Sequence, residues 1–152
     1  MNINYSSTMP MRSIQDNAKR ILNYHIKELT LDEIKELWNR TEENVGKEPD
    51  SDFIESHKYR YNTLTIGSGQ FHYDGIVNAI IRDRYKADQM EAITNNMNII
   101  VGNFFSELAS NDIASATNYL INSINNENSS NFKEMQEWRA IAKKEAKLIL
   151  NI

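Results

Sequence analysis

The most constraining feature of this sequence is a long apolar pattern between residues 90 and 108. Six apolar side chains recur at three- and four-residue steps, and three neighbours widen the apolar arc: Met90, Ile93, Met97, Ile100, Phe104 and Leu108, with Ile99, Val101 and Phe105. This spacing predicts an α-helix, because residues three and four apart share one helical face. Since apolar side chains cover so much of its circumference, we expect this helix to lie at the centre of the fold.

Apolar spacing and capping residues predict further helices on both sides of this segment. Between residues 13 and 28, apolar side chains again recur at three- and four-residue steps and predict a helix. The sequence TLDE at 30–33 is a capping box, in which the Thr30 hydroxyl accepts a hydrogen bond from the backbone of Glu33 and begins the next helix. Later helix starts are predicted at Asp74, at Asp112, and at Asn131 with Glu134.

The region from 57 to 73 is where the pattern favours strands. In HKYRYNTLTIGSGQFHY, side chains alternate from Tyr59 and Tyr61 onward, a Gly-Ser-Gly turn follows, and Phe71 and Tyr73 come after it. Alternation on both sides of a glycine turn predicts a β-hairpin. Because an isolated two-stranded hairpin is marginally stable in water, we expect it to pack on helices or to add to a partner's sheet.

Together these patterns predict a mainly α fold. It would be a compact helical domain of about five to six helices with one small β-hairpin and an extended N-terminal arm. Residues 1–9 show no periodicity and are expected to form a flexible arm. Residues 10–152 are expected to form a single helical domain with the hairpin near 57–73, since a chain of 152 residues can bury a modest core.

Composition narrows the classes of function. The net charge of −4 argues against strong nonspecific binding to nucleic acid, which needs a basic surface. The chain has no cysteine, which excludes disulfides and thiol chemistry. No basic-then-apolar order marks a signal peptide, and no apolar run approaches the roughly 20 residues that span a bilayer, so we expect no insertion into a membrane.

No residue motif specifies a catalytic reaction. The glycines of TIGSGQF lack the GK[ST] ending of a phosphate-binding loop, and a hairpin turn accounts for them. His25, His57 and His72 have no acidic or histidine partner at the i+4 spacing of a helical metal site. We therefore predict a protein that is not an enzyme, with no catalytic residue, no cofactor and no metal.

Two blocks of the sequence carry a recognisable combination of residues. The block VNAIIRDRYKADQMEAITNN (77–96) joins an aliphatic pair to an R-x-R-Y element, an acid and an A-I pair, and FKEMQEWRAIAKKEAKLIL (132–150) contains E-x-x-x-W-R-x-x-A-K. The matching residues are Ile80, Ile81, Arg82, Arg84, Tyr85, Glu91, Ala92, Ile93, Glu134, Trp138, Arg139, Ala142 and Lys143. This combination resembles small helical proteins from structural modules of tailed phages that infect gut Bacteroidetes, including crAss-like phages. The resemblance implies a virion or tail-assembly component without known catalysis.

We therefore expect a noncatalytic structural subunit of a bacteriophage particle, a portal, head-to-tail or tail ring or adaptor protein that acts by protein–protein docking. The expected partners are other phage structural proteins, in a homo-oligomeric ring, with no membrane and no nucleic acid. The expected location is the virion and, during assembly, the host cytoplasm. The predicted partner-binding residues are Tyr5, Pro10, Tyr59, Tyr61, Phe71, Tyr73, Lys143, Lys144 and Lys147.

Two other functions stay open at this point. The span 28–55 is strongly acidic, which suits a small phage or mobile-element effector that binds and inhibits a host protein. The alternation of bases and aromatic residues in HKYRY suits an accessory protein that binds nucleic acid by stacking and charge, a weaker alternative.

Overall fold

The computed structural model describes residues 1–110 and 112–152. Four strands form one antiparallel sheet in the order β1-β4-β3-β2, and the described residues also contain six α-helices. The strands are β1 (Asn2–Ser6), β2 (Ser13–Asp16), β3 (Lys19–Glu28) and β4 (Tyr59–Gly67). The helices are α1 (Leu31–Trp38), α2 (Ser51–Ser56), α3 (Tyr73–Arg84), α4 (Ala87–Ala109), α5 (Ile113–Ile124) and α6 (Glu127–Leu150). The chain divides into two units, residues 1–80 with 143–152 and residues 81–142.

The prediction of a mainly α fold with one small hairpin is wrong, because the fold is mixed α/β with 19% of residues in strands. The largest error concerns residues 13–28, where β2 and β3 form a hairpin instead of a helix. Asp16 pairs with Lys19 across a two-residue turn in which Asn17 has a φ of 52°, a conformation that Asn tolerates. Leu22, Asn23 and Tyr24 are consecutive and all buried, so both faces of β3 are covered and the strand shows no alternation.

The N-terminal residues form a strand rather than an extended arm. β1 pairs antiparallel with β4, from Asn2 opposite Thr63 to Ser6 opposite Tyr59. A chain of hydrogen bonds crosses the sheet: the Asn4 amide donates to the Thr63 hydroxyl (2.9 Å), which donates to the Asn23 side-chain oxygen (2.9 Å). The polar residues of this segment therefore look unpatterned in sequence because their partners lie on distant strands.

The region 57–73 was predicted only in part. The strand is confirmed as β4, but the second strand of the predicted hairpin is wrong. After Gly67 the chain makes a 3-10 turn at Ser68–Gln70 and enters α3 at Tyr73. β4 instead pairs with β1 and β3, which lie before it in the sequence.

Capping residues recognised in the sequence mark the start of some helices but not of others. The capping box of Thr30 and Glu33 is confirmed at α1, and Asp112 caps α5 by accepting a hydrogen bond from the Ser115 backbone N–H (3.0 Å). The start predicted at Asn131 is wrong, because α6 already begins at Glu127. Capping residues thus locate α1 and α5 correctly, where the cap bond forms with a residue three positions away.

The two units have separate sets of buried side chains. In the first unit they include Leu22, Tyr24, Ile34, Ile66, Ile76, Val77, Ile80, Ala146 and Ile149. In the second unit they include Ile81, Ile100, Ala116, Met135, Trp138 and Ala142. Only Ile100 of α4 is buried, so the prediction that this apolar helix lies at the centre of the fold is wrong.

Two helical glycines should respond to alanine with opposite signs. A Cβ added at Gly75 would lie 2.2 Å from the carbonyl oxygen of Gln70, whereas one added at Gly102 meets nothing within 4 Å. We expect Gly75→Ala to lower the free energy of unfolding by about 2 kcal/mol, because the backbone must shift. Gly102→Ala should raise it by about 0.5–1 kcal/mol through helix propensity. Urea unfolding of both variants measures the difference, and a stabilised Gly75→Ala would contradict the close approach.

Candidate interaction surfaces

The predicted partner-binding residues all lie in the first unit. They lie on β1, β4, the start of α3 and the end of α6, except for Pro10 between β1 and β2 and Phe71 just before α3. The aromatic members are half-buried and make contacts within the fold. The guanidinium carbon of Arg20, for example, lies 3.8 Å from the centroid of the Phe71 ring. The three lysines at the end of α6 are exposed. The lysines are therefore the members of this set that remain most accessible.

Tyr5 belongs to a row of four rings that joins three elements. Trp38 of α1 meets Phe53 of α2 at a centroid distance of 4.9 Å, Phe53 stacks on His57 at 3.8 Å, and His57 contacts Tyr5 of β1 at 4.7 Å. Aromatic contacts of this kind stabilise a fold by about 0.5–1.5 kcal/mol each beyond their burial. Tyr5 thus holds β1 against α2.

An open cleft of about 410 Å³ lies beside this row, lined by Tyr5, Ser6, Ser7, Asp52, Glu55 and Ser56. Several of its polar side chains have partners within the chain. The Ser6 hydroxyl donates to the carbonyl of Thr8 (2.6 Å), and Glu55 pairs with Lys58 (2.6 Å). The Ser56 hydroxyl, which also lines the cleft, lies 3.0 Å from Nδ1 of His57, and that nitrogen lies 2.9 Å from the carbonyl oxygen of Phe53. When Nδ1 carries a proton and donates it to this carbonyl, it cannot accept the serine proton, as the base in nucleophilic catalysis must.

The structure also bears on metals and membranes. Among residues 1–110 and 112–152, no three histidine or carboxylate side chains are grouped to hold a metal ion. Within the same ranges, no helix combines the length and apolar character needed to cross a bilayer.

Residues from both blocks of the phage-like pattern meet in the second unit. The Arg84 guanidinium lies 4.9 Å from the ring centroid of the buried Trp138 and 5.2 Å from that of Tyr85, and it pairs with Glu134 at 3.5 Å. A guanidinium can contact aromatic faces and a carboxylate at once, because it is planar and carries several donors. The two sequence blocks therefore contribute side chains that contact each other in the second unit.

Sequence reasoning missed an exposed apolar surface on the hairpin of α4 and α5. We call it the apolar face, and it consists of Val101, Phe105 and Leu108 of α4 with Ile113, Leu120 and Ile124 of α5. These side chains are between 38% and 69% exposed. The sequence pattern showed that the three α4 residues belong to one apolar arc, but not which part of that arc is covered.

The two halves of the apolar face lie on the same side of the hairpin. Successive helical residues are rotated by about 100°, which places the α4 stripe beside the buried Ile100 and the α5 stripe beside the buried Ala116. Both stripes are displaced in the same rotational sense from the buried side of their helix. Because α5 runs back along α4 and packs against it, the buried sides of the two helices face each other, and the two stripes then face the same way. The opposite side is closed by a hydrogen bond from the Asn103 amide to the Tyr119 hydroxyl (3.1 Å).

This part of the chain carries almost no charge. Between Ala92 and Asn126 the charged residues are Glu107 and Asp112, both acidic and both near the turn of the hairpin. Hydrogen bonds from the Ser115 hydroxyl and backbone N–H lower the pKa of Asp112 below its ordinary value, so this carboxylate is ionised at neutral pH. An uncharged segment with a wide apolar arc was the sequence signal for this surface.

No family model, no curated protein and no solved structure matches this chain. The resemblance of 77–96 and 132–150 to phage structural proteins therefore stays a prediction.

Proposed function

We propose that this protein is a noncatalytic structural subunit of a bacteriophage particle that acts by docking onto other protein chains. The observation that carries the proposal is the apolar face. Its six side chains present on the order of 500 Å² of apolar surface to water. This falls in the range of the largest apolar patch on a typical soluble monomer, about 300–600 Å², which is often functional, and the function that we assign to it is contact with another chain.

The assignment to a phage particle rests on the resemblance of residues 77–96 and 132–150 to structural proteins of tailed phages. Support comes from the contacts of Arg84 with Trp138 and Glu134, which join residues of both blocks in one unit. A structural subunit needs a stable scaffold and a docking surface rather than a reactive cleft. Repetition of one modest contact around a particle would give a stable assembly.

The test uses two matched variants in the producing phage. Phe105→Ser removes a large side chain of the apolar face, and Ile99→Ser removes an exposed side chain of α4 that lies outside it. We expect quantitative mass spectrometry of purified particles to find the wild-type protein and Ile99→Ser at a fixed ratio to the major structural proteins. Phe105→Ser should be strongly depleted from the particles.

Two results would overturn the proposal. One is absence of the wild-type protein from both purified particles and assembly intermediates. The other is recovery of the protein in an equimolar complex with a single host protein, which would favour the inhibitor alternative. In that case charge-reversal variants in the acidic span 28–55, rather than Phe105→Ser, should abolish binding.

A further inference from the structure

We infer that the apolar face joins two copies of this chain in a two-fold dimer, in which the hairpins pack antiparallel with their turns at opposite ends. The inference rests on the proposed function only in assigning the apolar face to docking, and it names the partner. Three properties of the face lead to a second copy: its size, the spacing of its side chains and the position of its charges.

The size and spacing of the apolar face fit a pair of helices. A stable interface buries about 800 Å² on each partner, and the six exposed side chains of the face supply more than half of that area. On α4 the stripe advances by four and then three residues, and on α5 by seven and then four. Such steps are those of side chains that interlock with a neighbouring helix, as in a four-helix bundle. A second copy supplies two helices with the same stripes.

The charges argue against nucleic acid and anionic membranes as occupants of the face, and they favour one orientation of the dimer. With no lysine or arginine between residues 92 and 126, the face has no attraction for the phosphates of nucleic acid or of an anionic membrane. It also carries no charge that would repel its own copy. In a parallel dimer, Glu107 and Asp112 of both copies would meet at one end. The antiparallel arrangement separates them by about 18 Å, the length of α5, which exceeds the screening length of about 8 Å in physiological salt.

The absence of cysteine allows a direct test of this arrangement in the full chain. In the antiparallel dimer α5 lies against α5 of the second copy, and Thr117 is close to the middle of that contact. Ser110 lies at the turn, where two copies would meet only in the parallel arrangement. We expect the Thr117→Cys variant to form disulfide-linked dimers under mild oxidation and the Ser110→Cys variant to stay unlinked.

Light scattering of the purified protein tests the dimer itself. We expect a wild-type mass of two chains, with Phe105→Ser and Ile124→Ser each weakening dimerisation by about tenfold or more and Ile99→Ser leaving it unchanged. Circular dichroism confirms that the variants are folded. A wild-type mass of one chain at all concentrations would overturn the inference. So would a higher mass that survives both substitutions, or cross-linking through position 110 instead of 117.

The two proposals fail in different ways. A monomeric protein that is nevertheless present in particles, and is lost from them on Phe105→Ser, would reject the dimer and keep the structural role. A dimer that is absent from particles and assembly intermediates would reject the structural role and keep the dimer.

Discussion

Replacing Arg12 with alanine should lower the free energy of unfolding by about 3 kcal/mol. The Arg12 guanidinium lies 2.7 Å from the carboxylate of Glu145, whose side chain is only 9% exposed. Removal of the arginine leaves this carboxylate buried without its cation. Breaking a buried ion pair from one side costs more than the pair contributes, because the remaining charge has already lost its water. Equilibrium urea unfolding measures the change.

The control for Arg12 is an exposed ion pair of the same unit. Lys58 pairs with Glu55 at 2.6 Å, but their side chains are 44% and 61% exposed. Lys58→Ala should therefore cost less than about 1 kcal/mol. Adding Glu145→Ala to the Arg12→Ala variant should restore part of the lost stability, because it removes the isolated charge. Equal losses for Arg12→Ala and Lys58→Ala would show that the Arg12 pair is solvated.

The Leu22→Ala variant should lose a similar amount of stability, about 3 kcal/mol. Leu22 is 0% exposed on β3, which is a central strand of the sheet. Truncation removes buried apolar surface and leaves a cavity that a strand hydrogen-bonded on both sides cannot easily close. Thermal or urea unfolding, monitored by circular dichroism, provides the value.

Leu31→Ala is the matched control, since it makes the same chemical change at a residue that is 51% exposed in the first turn of α1. Its cost should be below about 1 kcal/mol, because little surface is lost and alanine favours the helix. If both leucines gave the same loss, the packing of β3 described above would be incorrect.

Local interactions explain where prediction from sequence succeeded. The capping box of Thr30, the cap at Asp112 and the alternation of β4 each depend on residues within a few positions of one another. Such signals survive in sequence because the contacts that produce them are local.

Prediction failed where the contacts are distant. β1 pairs with β4 nearly sixty residues later, and the Asn4 amide donates to the Thr63 side chain across the sheet, so nothing near Asn4 in the sequence indicates a strand. β3 is covered on both faces, which removes the alternation that identifies a strand and leaves spacings that imitate a helix. Capping and periodicity describe one element at a time, and neither specifies which strands pair.

The apolar face also combines a part that the sequence predicts and a part that only the structure reveals. The sequence by itself determined that residues 90–108 form a helix with a wide apolar arc and that few charges lie near it. Only the tertiary structure decided that the chain covers one part of that arc and leaves Val101, Phe105 and Leu108 in water. The physical reason is that periodicity reports which side chains share a face, whereas burial depends on what packs against that face.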